Sequence, residues 1–167
     1  VLATRATLLR DKFADKYITI GPDLWQHKEN PEFVQDDTLF PSWLARTKEE
    51  GLRVRTGYWN IKGKPIAILV DFSHYISEKN EILTYYWNTQ QLDSLNASWD
   101  FTESALFGYA VGKVLDSFIH FQVGVRERAI AHFHEWMSGT ALLYVKKELP
   151  QVGTIFTTHA TVLGRSI

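Results

Sequence analysis

The stretch Ala131-His132-Phe133-His134-Glu135-Trp136-Met137-Ser138-Gly139 places two imidazoles, a carboxylate, an indole and a hydroxyl where a short apolar run breaks into polar and small residues. An imidazole can donate or accept a hydrogen bond, ligate a metal or exchange a proton near neutral pH, so this spacing admits several chemistries. A second run of the same design follows in Val152-Gly153-Thr154-Ile155-Phe156-Thr157-Thr158-His159-Ala160, apolar at first, then hydroxyls and an imidazole. If both runs are parallel strands of one sheet, His134 and His159 lie at the same edge, where open α/β sheets bind ligands.

Side chains alternate along a strand, so His132 and His134 share a face and Phe133 takes the other. Three readings of that face compete. In the first, His132 and His134 are zinc ligands with Glu135 or His159 as a third. In the second, His132 is a buried histidine hydrogen-bonded to backbone. In the third, His134 points into the crevice beside the helix that begins near Trp136, whose unpaired N–H groups suit an anion or an electron-rich hydroxyl.

The neighbours divide in the same way. Ser138 and Gly139 allow a ligand to approach closely, and Glu135 either caps the helix or accepts from sugar hydroxyls. Trp136 is core or a stacking platform, with core the better-supported choice. Thr158 or Thr161 would cap a following helix, and Arg165 is a solvated charge or an anion contact one turn inside it. No Ser-His-Asp order, phosphate-cradling glycine motif or EF-hand pattern competes.

The elements that must hold these groups follow from periodicity. Ala129 to Phe133 is continuous and apolar, as a strand covered by helices on both faces would be. Trp136 to Lys147 has helical spacing, ends in Lys146 and Lys147 and is stopped by Pro150, and Val152 to Phe156 is the next strand. This strand, helix, strand unit should cross over right-handedly.

Upstream, residues 2–14 set Leu2, Ala6, Leu9 and Phe13 on one helical face, and Lys16 to Ile20 reads as a strand closed by Gly21-Pro22. Residues 21–38 show no period and read as an irregular surface segment. A helix opens at Pro41 and ends at Gly51. Leu52 to Trp59, the turn at Lys62-Gly63-Lys64-Pro65 and Ile66 to Phe72 form a hairpin signal. A helix is expected over Glu78 to Gln91. A longer one, Phe101 to about Phe121, is capped by Asp100 with Glu103 and presents Ala105, Leu106, Tyr109, Ala110, Val114, Leu115, Phe118 and Ile119 as a wide core face.

The composition sets outer bounds. In 167 residues, 45% of them hydrophobic and 14% aromatic, one domain with one substantial core is expected. A net charge of -1 with mixed signs gives no basic footprint for nucleic acid and no polybasic stretch for a membrane surface. There is no cysteine for a disulfide or thiolate site, no apolar run of about eighteen residues and no signal peptide, which suits the cytoplasm. Asn96-Ala97-Ser98 matches a glycosylation sequon of the kind common by chance. The uncapped helical start at Val1 and the barely begun element at Leu163-Gly164-Arg165 suggest a fragment.

Taken together, Ala131 to Gly139 and Thr154-Ile155-Phe156-Thr157-Thr158-His159-Ala160-Thr161-Val162-Leu163-Gly164-Arg165 resemble the paired signature of the glycogen synthases of animal and fungal type. Weaker similarity runs back through Ser104-Ala105-Leu106-Phe107-Gly108-Tyr109, Tyr86-Trp87-Asn88 and Ile20-Gly21-Pro22, so nearly the whole chain is covered. The resemblance implies an α/β fold: a Rossmann-like three-layer domain with a mainly parallel sheet, the N-terminal, acceptor-side half of a GT-B glycosyltransferase.

Such enzymes transfer glucose from a nucleotide sugar, UDP-glucose in this branch, to the non-reducing end of an α-1,4-glucan with retention of configuration. They generally need no catalytic metal or other cofactor. By resemblance His134 contacts the donor glucose as the catalytic residue, and Glu135, Trp136, His159, Thr161 and Arg165 are substrate-binding candidates. The implied partners are a nucleotide sugar and an α-glucan acceptor, without nucleic acid or membrane, and a homo-oligomer is compatible with them.

Two departures bear on activity. The glycine-rich loop of the family lies before the segment resembling Val1-Leu2-Ala3-Thr4-Arg5, and the C-terminal nucleotide-sugar domain, with the cations that hold the diphosphate, is not in this sequence. The isolated chain is therefore expected to be inactive. The competing reading is a non-catalytic glucan-binding or assembly module built on Trp25, Trp59 and Trp99.

Overall fold

A computed structural model of the chain describes residues 2–25 and 30–159. It is α/β, with a four-stranded mixed sheet and a two-stranded parallel sheet. Internal contacts divide the chain into two units, Val1–Asp71 and Phe72–Ile167.

In the first unit α1 (Leu2–Phe13) turns inward on Ala6, which is fully buried, while Phe13 at the end of the expected face is exposed. A short 3-10 turn leads into β1 (Ile18–Pro22), and β2 (Phe33–Gln35), α2 (Pro41–Glu49), β3 (Val54–Trp59) and β4 (Ile66–Val70) follow. The sheet order is β1-β4-β3-β2. The expected hairpin is present, with Thr56 opposite Ile68, and β1 joins β4 in parallel. Every residue of β4 is buried, as its unbroken apolar run requires of a central strand.

Two expectations need correction here. The first is a mainly parallel sheet: β3 pairs antiparallel with both β4 and β2, because the Lys62 to Pro65 turn reverses the chain and β2 adds to the hairpin's outer edge. The second is that residues 21–38 are irregular. They contain β2, whose three residues are too few for an alternation to show. Gly57 allows this pairing, since a Cβ there would collide with the Val34 carbonyl. Beside it, Asp23 accepts from Arg55 Nε at 2.8 Å and Nη2 at 2.7 Å, a two-point bond that ties the end of β1 to β3.

In the second unit a 3-10 turn (Ser73–Ile76) precedes α3 (Lys79–Gln90), α4 (Trp99–Gln122), β5 (Ile130–His134), a 3-10 turn (Trp136–Ser138), α5 (Gly139–Glu148) and β6 (Gly153–Thr157). At 24 residues α4 is about 36 Å long. Its N-cap is Ser98 in place of the expected Asp100, which lies in the first turn where its negative charge complements the positive end of the helix.

The helix α5 lies directly on α4 at two glycines one turn apart. A Cβ on Gly108 would overlap the Thr140 hydroxyl and come 2.7 Å from Ala141 N, and one on Gly112 would enter the Tyr144 ring. Tyr86, itself fully buried, donates to the Thr140 carbonyl at 3.0 Å and holds the same end of α5. Around this contact Tyr75, Tyr85, Tyr86, Tyr109 and Tyr144 meet mostly edge to face, with ring centroids 5.2 to 6.4 Å apart.

β5 and β6 pair in parallel, with His132 opposite Ile155 and His134 opposite Thr157. The expected cover on both faces is not found. Phe133 is buried, but Ile130 is 69% exposed and Ile155 48%. An apolar run records which residues can be buried, and only the Phe133 face has a described helix, α5, against it. No described helix is long and apolar enough to cross a membrane.

Two predictions follow from this packing. Gly108→Ala should cost about 1–3 kcal/mol through overpacking against Thr140, although alanine is the better helix former. A urea midpoint at or above the wild-type value would show that the close approach of α5 to α4 does not require a glycine at this position. The tyrosines supply the second. Burial pushes the Tyr75 phenol up to about 12 and raises Tyr85, Tyr86, Tyr109 and Tyr144 as well. Their folded pKa values exceed the unfolded value of about 10, so their contribution is complete below that pH and is lost as pH rises through the folded values. Urea midpoints should therefore fall steeply above pH 10, and less steeply in Tyr144→Phe.

Candidate functional site: a histidine column at the strand ends

The site begins where β5 stops. Glu135 has φ 64° and ψ 166°, a backbone region that costs a residue with a Cβ roughly 1–3 kcal/mol. Four groups hold it there. Glu135 N–H donates to the Thr157 carbonyl at 2.9 Å, and the Glu135 carbonyl accepts from Ser138 N–H at 3.1 Å. Ser138 Oγ lies 2.8 Å from the His134 carbonyl and 2.9 Å from that of Glu135, sharing its one hydrogen between them. Finally, Glu135 Oε1 accepts from the His159 backbone N–H at 2.7 Å.

This turn and the parallel register stack three imidazoles along the outer face of the strands. The His132 and His134 rings are 4.1 Å apart at their centroids and tilted by 34°; those of His134 and His159 are 5.1 Å apart and within 20° of parallel. His134 Nδ1 and His159 Nε2 are hydrogen-bonded at 2.9 Å, and His132 Nε2 bonds Thr157 Oγ1 at 2.8 Å. The column presents ring edges and hydroxyls, donors and acceptors in one row, to the exposed side of the sheet.

The predicted site residues fare unequally. His134, Glu135 and His159 come together. His132 is exposed and bonded to a threonine side chain, which corrects the expectation of a buried histidine on backbone: the strand face that carries it has no described cover. Trp136 is 53% exposed, so the core reading is likewise overturned, because the 3-10 turn swings its side chain off the packed face of α5. Thr161 and Arg165 lie outside the described residues, as does any helix that Thr158 would cap.

No cluster of three or more His, Asp or Glu side chains suited to a metal occurs among the described residues. Thr157 and Ser138, which hold the column and the turn, were not singled out by sequence reasoning for these roles; the strand register reveals the first and the turn at Glu135 the second. Of the three tryptophans considered for glucan binding, Trp59 is committed to packing: its indole N–H donates to Thr19 Oγ1 at 3.0 Å and its ring abuts Phe33. Trp25 and Trp99 are exposed, each in a different unit. A separate open depression of about 560 Å³ is lined by Asn80, Glu81, Thr84, Tyr85 and Asn88. Tyr85 bonds Glu148, the last residue of α5, a helix about 15 Å long whose other end adjoins the turn that carries Glu135.

The backbone at Glu135 gives a direct test. Both Glu135→Ala and Glu135→Gly lose the carboxylate, but only glycine adopts this φ and ψ without strain. The glycine variant should be the more stable by on the order of 1 kcal/mol in urea unfolding, the reverse of the usual order. Equal midpoints would mean that the turn relaxes.

Residues 1–167 match the family model described as glycogen synthase. Over 167 residues the chain is 34% identical to the glycogen [starch] synthase of Neurospora crassa, an alignment covering 99% of this chain and 23% of that protein. It is 30% identical over 175 residues to glycogen [starch] synthase isoform 2 of Saccharomyces cerevisiae, again 99% of this chain and 24% of the relative. To the Dictyostelium discoideum protein of the same name it is 29% identical, over 99% of this chain and 18% of that protein. The chain thus spans about a quarter or less of the relatives it matches. Both histidine segments lie within the matched residues, and the chain belongs to the glycogen synthase family.

Proposed function

We propose that this chain forms the acceptor-side wall of the sugar cleft in a retaining glucosyltransferase. The enzyme would extend an α-1,4-glucan from a nucleotide-glucose donor, UDP-glucose in this branch of the family. The observation that carries the reading is the histidine column: oriented polar groups at the ends of parallel strands, beside the start of α5. In the finer architecture we propose, the chain is part of a Rossmann-like domain facing a second, nucleotide-sugar domain, as in GT-B enzymes.

Glucosyl transfer with retention develops positive charge on the sugar ring and negative charge on the departing diphosphate. His134 is assigned to the sugar, where an imidazole edge can hydrogen-bond a hydroxyl without carrying full charge. Trp136, exposed beside it, offers a face for the sugar ring or glucan. Glu135 and His159 border the same cleft, with Thr161 and Arg165 as further contacts proposed from the family resemblance. Cations for the diphosphate are assigned to the second domain, and the reaction is proposed to need no metal. A cytoplasmic location, and self-association, belong to the same proposal.

In the full-length protein, His134→Ala should lower glucan elongation from UDP-glucose by orders of magnitude while leaving the urea midpoint near wild type. The isolated chain should not elongate glycogen at all. Undiminished turnover in His134→Ala, or robust elongation by the isolated chain, would falsify this assignment. The exposed Trp25 and Trp99 favour one second reading, a non-catalytic glucan-binding module. It requires maltooligosaccharide binding that survives His134→Ala and is lost in Trp99→Ala.

A further inference from the structure

The column contains an internal support. His134 is the last residue of β5, followed at once by the strained turn, and its ring could rotate about two bonds. Its Nδ1 is hydrogen-bonded to His159 Nε2 at 2.9 Å, from a ring stacked within 20° of its own. His159 is in turn placed by Glu135, whose carboxylate accepts its backbone N–H at 2.7 Å. Glu135 reaches His159 from a backbone with positive φ, in a turn that is pinned to Thr157 and Ser138.

From this chain of contacts we propose that His159 is a positioning residue for His134, and that Glu135 acts through His159. The inference rests on His134 being the catalytic residue. One hydrogen lies between the two facing nitrogens. In neutral rings the two tautomers are therefore coupled: where His159 donates, His134 carries its own hydrogen on Nε2, and where a neutral His134 donates, it does not. The bond also fixes the rotation of the His134 ring, and with it the direction of Nε2 on the far side. This assigns His159 and Glu135 a different role from direct sugar contact. Both are spent on orienting the neighbouring imidazole, as the groups behind metal-bound histidines do.

The test is a double-mutant cycle in the full-length protein, read as kcat and KM for UDP-glucose and for glycogen. His159→Leu should lower kcat by about 10- to 100-fold with little change in either KM, since a misdirected group fails chiefly in the transition state. His159→Gln, whose amide nitrogen reaches the place of Nε2, should recover most of that loss. In a His134→Ala background, His159→Leu should cost nothing further, because there is no ring left to orient. Full additivity of the two losses, or a raised KM with unchanged kcat, would overturn the positioning role and return His159 to direct substrate contact. The outcomes separate cleanly: if His134→Ala alone leaves turnover intact, the proposed function has failed; if it lowers turnover by orders of magnitude and His159→Leu lowers the residual rate by its full factor again, only this inference has.

Discussion

The second unit depends on how closely α5 can approach α4. Gly108 and Gly112 remove the side chains that would hold the helices apart, and the Thr140 hydroxyl and Tyr144 ring occupy the space. At Thr140 the approach fixes the first turn of α5, and Tyr86 holds the carbonyl of the same residue. Since the 3-10 turn at Trp136 to Ser138 runs directly into that first turn, the position of Glu135 is set by helix packing well inside the unit. Strain at Glu135 persists because the groups around it are themselves immobilised.

The tyrosines make this core chemically distinctive. A phenol brings aromatic area together with a hydroxyl that must find a partner or be left in a dry place. Tyr86 finds a carbonyl and Tyr85 the Glu148 carboxylate, while Tyr144 comes within 3.4 Å of Asp116. All are held in the neutral form first by burial, so the core that positions the site is sound at neutral pH and vulnerable in alkali.

Much of this arrangement is legible in the amino-acid sequence, for identifiable reasons. The hairpin, α2, α3, α4 and the β5-α5-β6 unit all carry strong periodic or turn signals, and structure and sequence agree on them within a few residues. His134 and His159 fall at one edge once the two runs are taken as neighbouring parallel strands, and the structure has that pairing. What is not legible depends on register and cover. Nothing local distinguishes an apolar strand with one packed face from one with two, so Ile130 and His132 read as interior and lie exposed. The edge strand β2 is too short to show a period. The roles of Ser138 and Thr157 exist only once Glu135 has taken a conformation that no residue but glycine would advertise.

The exposure of the histidine column has an energetic side. At the water-facing surface of the strands, dipoles and hydrogen bonds act in a medium of high dielectric constant, where each is worth a small fraction of its value in a dry cleft. Geometry is therefore settled in advance of strength. A surface that closed over His132, His134 and His159 would not need to move them; by excluding solvent it would amplify directions that are already fixed.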